Sequence, residues 1–202
     1  MVWANSTANV HTFLTFVTED LVSRLKADPA DPRASPLDFV WGASSWAIET
    51  ILAANPETRI SKYIPCCRDT QVQVYGPAAI QNYTQRGWAD RVLYKCDRKT
   101  PAYYDNGAPG RPSHLSLPID FSNPDVVAWQ VEQFGQPAAA AGYDVLALDN
   151  TILENAWGAC GVWRTPTKWV QLYNGSSLDA AFQSAVVGWL GALKAKINAL
   201  TT

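Results

Sequence analysis

Residues 141–155 read AGYDVLALDNTILEN. Within them Asp144 to Leu148 (DVLAL) is a short, mainly apolar run that leaves a glycine turn and delivers two polar residues, Asp149-Asn150, at its end. A run this short, bounded by turn residues and followed after a loop by a long helical pattern, marks a strand of a βα unit. The helix is the most regular in the chain: Leu178, Phe182, Ala185, Trp189, Leu193 and Ile197 recur at three- and four-residue spacing around Ser177 and Asp179 as its start. In α/β sheets ligands meet the carboxyl ends of strands, so Asp149 is the first candidate for chemistry.

Upstream the alternation repeats. Leu37 to Ala43 (LDFVWGA) reads as a strand, with Ser44 and Ser45 as N-cap candidates for a helix over Trp46 to Ala54 that stops at Asn55-Pro56. Arg59 to Pro65 (RISKYIP) is a second strand, with a helix from near Pro77 to about Arg86. Ser116 to Asp120 (SLPID) is a third, followed by Asn123-Pro124-Asp125 as N-cap, first-turn proline and dipole-complementing acid. Its helix runs toward Gly135 and should break or kink at Pro137. Arg91 to Cys96 (RVLYKC) is strand-like, yet a turn-rich segment follows it, so it reads as a hairpin or excursion. Val10 to Val17 reads as an accessory strand, and Thr18-Glu19-Asp20 starts a short helix.

The expected fold is therefore an α/β half-barrel of about four βα units plus the N-terminal accessory strand and helix, in one domain over 1–202. Its parallel strands fall near residues 38–43, 59–65, 115–119 and 144–149. A closed barrel has no edges, whereas half of one leaves two. The chain alone is expected to be marginal, self-associated, or part of a longer product completed by a second half-barrel.

Composition narrows the function. Sixteen Lys plus Arg stand against eighteen Asp plus Glu, a net charge of −2, and the basic residues are scattered, which argues against nucleic acid as a partner. No apolar stretch approaches the ~20 residues of a membrane span, and the start lacks a signal-peptide pattern, so no membrane partner is expected. Localisation stays open, extracellular if a leader precedes this start. Cys66, Cys67, Cys96 and Cys160 are too few and too irregular for a disulfide framework, so buried free thiols are expected, and no Cys/His cluster suggests a metal. Sequons at Asn5, Asn82 and Asn174 compare with roughly one expected by chance, too small an excess to prove secretion. Gly-rich dinucleotide and phosphate loops and a Gly-x-Ser-x-Gly elbow are missing, so no cofactor is expected; His11 and His114 read as structural or surface residues.

Carboxylates at run ends remain: Asp69, Asp97, Asp120, and Asp149 with Glu154. Paired carboxylates suit glycoside cleavage, one as nucleophile and one as acid/base. Asp69 and Asp120 also read as turn caps, Asp97 as a local partner of Lys95, Arg98 and Lys99, and Glu154 as a loop or capping residue. Asp149 stands equally between catalysis and an Asx-turn. Nine tryptophans and eight tyrosines favour a saccharide, whose ring faces stack on aromatic planes. Trp41, Tyr63, Trp157 and Trp163 fall at or just after run ends, whereas Trp129 and Trp189 sit at helical positions and read as core.

The fragments LDFVWGASSW (37–46), NPETRISKYIPCCRD (55–69), VLYKCDRKTPAY (92–103), LPIDFSNPDVVAWQ (117–130) and AGYDVLALDNTILEN (141–155) together resemble, in that order, the N-terminal half of glycoside-hydrolase-like TIM barrels, similar to the polygalactosaminidase-like group. The resemblance implies a partial (β/α)8 TIM barrel acting on or binding a poly- or oligosaccharide. It also implies that Asp149 stands at the end of barrel strand four, where such enzymes place a catalytic carboxylate, commonly the nucleophile, with Asn150 orienting it or the substrate. In that family a later strand contributes the acid/base; within this chain Glu154 is the nearby replacement.

Overall fold

A computed structural model describes residues 13–15, 17–31, 37–65, 81, 84–85, 87–102, 104–105, 115–116, 119–149 and 151–200. They divide into two compact units, one comprising the described residues up to Ile64 with Gln136–Ala147, the other running from Pro65 to Gly135 and from Leu148 onward.

The first unit is built on parallel strands. β1 (Phe13–Thr15) pairs parallel with β2 (Phe39–Trp41), which pairs parallel with β3 (Arg59–Pro65); β6 (Val145–Asp149) follows β3, giving the order β1-β2-β3-β6. The run taken as accessory is thus a full sheet member beside β2. Helix α1 (Glu19–Ala27) starts where the Thr18 hydroxyl accepts from Leu21 N–H, with Glu19 and Asp20 in its first turn. Helix α2 (Ile48–Ala54) is entered through a 3₁₀ turn over Ser45–Ala47. Ser44 holds the N-cap position of that turn but makes no side-chain cap, unlike the role expected of it.

Val22, Leu25, Val40, Ile48, Ile51 and Ile60 bury together as this unit's core. Polar groups lock the strand ends: Ser61 Oγ donates to Val40 O and accepts from Gly42 N–H, while Thr58 Oγ1 donates to Leu37 O at 2.6 Å. The Asp144 carboxylate accepts from Ile60 N–H at 3.0 Å and pairs with Arg59 at 3.2 Å, tying the start of β6 to β3.

The expected strand over 115–119 is a correction. Leu115–Ser116 (β5) pairs antiparallel with Tyr104–Asp105 (β4), outside the parallel sheet, and Ile119 forms an antiparallel bridge with Val92. Pro118 offers no N–H to a ladder, so this run could not serve as a central strand. The excursion read at 91–96 is present: Tyr94 bridges Pro101, and Lys95 N–H and Ala102 N–H close a hairpin-like turn on Thr100 O and Leu93 O.

In the second unit Tyr94 also bridges Gly161, the first residue of β7 (Gly161–Thr165), which pairs antiparallel with β8 (Lys168–Gln171). Only glycine fits there, since a Cβ on Gly161 would lie 2.2 Å from Val170 O. Helix α3 (Pro124–Gln130) has the expected Asn123 cap, accepting from Asp125 N–H at 2.9 Å. The backbone then widens into a π turn over Val131–Gly135, and Pro137 sits inside α4 (Gln136–Ala140). The irregularity therefore precedes Pro137, whose missing N–H and ring bulk disturb the turn before it. The long helix α5 (Ala180–Asn198) is capped by Asp179, which accepts from Ala181 and Phe182 N–H. Phe182, Val186, Trp189 and Leu193 bury against Phe121, Val127, Val162 and Tyr173. Leu178, counted in the apolar stripe, precedes the helix and is exposed. Trp189 donates to Gln130 Oε1 at 2.7 Å, and Trp129 packs against the Val92–Ile119–Val126 cluster, both as core residues.

Cys96 and Cys160 form a disulfide, which overturns the free-thiol expectation for these two. The Tyr94–Gly161 bridge brings them together, because each cysteine lies within two residues of it. Cys66, Cys67, both histidines and the sequons at Asn5 and Asn82 lie outside the described residues; of the helix expected over 77–86, residues 81, 84 and 85 are described, and they are helical. Asn174 is exposed, its Oδ1 accepting from Ser176 N–H at 2.8 Å.

Candidate functional site

Asp149 is the last residue of β6, half-buried, two residues beyond the buried Ala147. Ala147 is the one buried residue of β6, and Val145 at the other end of the strand is exposed. Glu154 is exposed in the loop that follows, immediately before Asn155. Asn155 is a residue the sequence reading did not weigh: buried, it donates to Ala159 O and accepts from Ala159 N–H, both at 2.8 Å, and so fixes the loop beyond Glu154. Trp157, inside that ring, is half-buried and packs against the α5 core. Trp41 and Tyr63, half-buried on β2 and β3, belong to the first unit; Asp69 and Asn150 lie outside the described residues.

Three other candidates converge on β7. Trp163 Nε1 donates to Arg98 O at 3.0 Å, next to the Asp97 turn, and its ring meets Trp169 edge-on with centroids 5.4 Å apart. Arg164 donates from Nη2 to Asp120 Oδ2 at 2.7 Å and from Nη1 to Asp90 O at 3.0 Å. Asp120 is fully buried, and its other oxygen accepts from the Ser122 hydroxyl. Burial, with the Asp120 and Asp179 carboxylates nearby, pushes the Tyr173 phenol above its ordinary range, so it stays protonated. A cavity of about 550 Å3 opens here, lined by Gly87, Asp90, Tyr94, Trp163, Arg164 and Thr165 among others. Arg164, Asp90 and Tyr94 were not singled out from sequence; a carboxylate as apolar in its neighbourhood as Asp120, between Ile119 and Phe121, was the signal that a basic partner must exist.

Asp97 is an exposed turn anchor. Thr100 Oγ1 donates to its Oδ2 at 2.6 Å, and the Thr100 and Lys99 N–H groups donate to Oδ1 at 2.8 and 2.9 Å. The Thr100 hydroxyl first, then these N–H groups, hold its carboxyl down at about 2. With the folded value depressed, the turn's stabilisation is present above the ordinary 3.8 and is lost as pH falls through about 2. An NMR titration should place the Asp97 midpoint near 2 and find it raised in Thr100→Val; a midpoint near 4 in the unaltered chain would contradict this geometry.

Among the described residues no group of three or more His, Cys, Asp or Glu is placed to hold a metal ion, and no helix is long and apolar enough to cross a membrane. No protein family and no curated protein matches the chain. Solved structures do. The cycloalternan-degrading enzyme from Trueperella pyogenes superposes with a TM-score of 0.55 at 13% identity, over 96% of this chain and 32% of that one. Its complex with isomaltose gives 0.52 at 13% identity, over 92% and 30%. A cycloisomaltooligosaccharide glucanotransferase from Paenibacillus sp., complexed with cycloisomaltoheptaose, is more distant, at 0.44 and 12% identity over 68% and 23%. The chain spans about a third or less of the length of these structures. The likeness is one of fold, and these neighbours are carbohydrate-acting enzymes.

Proposed function

We propose that this chain supplies part of a glycoside-hydrolase-like (β/α)8 domain acting on an oligo- or polysaccharide, with Asp149 as nucleophile or electrostatic stabiliser. The observation that carries the reading is Asp149 as the terminal residue of β6, in a sheet whose fold relatives act on carbohydrates. Strand ends are where α/β folds collect catalytic side chains. The general acid is Glu154 or a residue outside this chain. Acid and nucleophile must face opposite sides of the scissile bond, and two residues five apart in one loop rarely straddle a sugar ring. The 202 residues alone are therefore expected to turn over little substrate. The Cys96–Cys160 disulfide supports folding in an oxidising compartment.

A second reading, a saccharide-binding domain that cuts nothing, draws on the buried Asp120, whose charge is already engaged by Arg164 and so is not offered as a second catalytic carboxylate. Calorimetric titration with neutral and acidic oligosaccharides, run beside an assay of released reducing ends, separates the two. Hydrolysis supports the enzyme; binding without hydrolysis, weakened in Asp149→Ala, supports the binding domain; neither would overturn the carbohydrate reading.

A further inference from the structure

We propose that the cavity against β7 is a subsite for one neutral sugar ring, with Trp163 as its stacking platform and Arg164 as its fixed hydrogen-bond donor. The inference takes its ligand class from the carbohydrate reading above and adds a site, a geometry and a charge preference. The volume of about 550 Å3 suits one or two sugar rings, within the usual range for small-ligand clefts. Trp163 cannot swing freely, because its indole N–H is tied to Arg98 O at 3.0 Å and its ring abuts Trp169. A pinned aromatic face loses little entropy when a sugar's C–H face settles on it.

Arg164 is equally preorganised. Two of its five N–H groups are spent on Asp120 and the Asp90 carbonyl, at 2.7 and 3.0 Å, which orients the rest of the guanidinium for sugar hydroxyls. Burial raises the Tyr94 phenol above its usual value, so at neutral pH it lines the cavity as a hydroxyl. Charge decides between sugar types. The Arg164 cation is matched by the buried Asp120 anion, which leaves Asp90 as the other ionised residue among the described residues of the lining. That balance repels uronates and phosphorylated sugars and accepts uncharged hexosyl units.

The test is calorimetric titration of the protein with neutral trisaccharides of glucose, galactose and N-acetylgalactosamine, and with trigalacturonate. At least one neutral trisaccharide should bind and trigalacturonate should not. Trp163→Ala should weaken binding roughly tenfold or more, Trp163→Phe should restore most of it, and Trp46→Ala, an exposed residue of the first unit, should leave it unchanged. Melting curves establish that each variant folds. Binding that persists in Trp163→Ala but is lost in Asp149→Asn overturns the subsite and leaves the strand-end reading standing. Preference for trigalacturonate overturns the charge argument, and absence of any saccharide binding overturns both readings.

Discussion

Replacing Arg164 with alanine should destabilise the protein by about 3–5 kcal/mol, at the lower end because the Arg164 side chain keeps 29% of its exposure. The cost lies with what is left behind. Asp120 is fully buried, its backbone N–H is bound to Arg91 O, and the chain passes directly into the buried Phe121, so the carboxylate has no route to solvent. Without the guanidinium at 2.7 Å, the Ser122 hydroxyl is the side-chain donor that remains among the described residues to answer a full buried charge. The pair need not itself be strongly stabilising, since desolvating both ions offsets much of their attraction. A double variant, Asp120→Asn with Arg164→Ala, should therefore recover a large part of the loss. Urea unfolding of the two single variants and the double measures this; an Arg164→Ala protein as stable as the parent would show that Asp120 is not held in this way.

Losing the Cys96–Cys160 link should cost about 4 kcal/mol, the value chain entropy gives for a loop closed across 64 residues. Its effect should be uneven across the chain. Both cysteines flank the Tyr94–Gly161 bridge in the second unit, where Cys160 N–H also donates to Tyr94 O at 2.8 Å, so the turn at 95–100 and the β7–β8 hairpin are the parts that loosen. Hydrogen exchange of Cys96→Ser/Cys160→Ser against the parent should show faster exchange at 93–102 and 160–171, with little change over β2 and β3. Equal exchange in both proteins would mean that the hairpin contacts suffice without the covalent link.

Local chemistry made much of the fold legible. DVLAL, RISKYIP and LDFVWGA became β6, β3 and β2 because short apolar runs between turn residues have few alternatives, and Asn123-Pro124 and Asp179 started their helices by ordinary capping. What the sequence hid was tertiary. SLPID resembles the other runs in composition, yet its proline cannot join a ladder, and β1, three residues long, took a place in the sheet instead. Spacing carries no sign that Cys96 should find Cys160, because that pairing depends on a backbone bridge between segments far apart in the chain. The same holds for the cavity: Trp163 was visible as an aromatic near a run end, but Asp90 and Tyr94, which line the cavity with it, and Asp120, which holds its neighbour Arg164, arrive from other segments.

The most direct test of the central claim is Asp149→Asn, compared with the unaltered protein for the release of reducing ends from neutral oligo- and polysaccharides. The substitution keeps the size of the side chain and removes its charge, so melting temperature and KM should change little. Turnover should fall by about 10³-fold or more if Asp149 is the nucleophile or the charge that stabilises the oxocarbenium-like transition state. An Asp149→Asn protein that folds and retains full turnover would contradict the account.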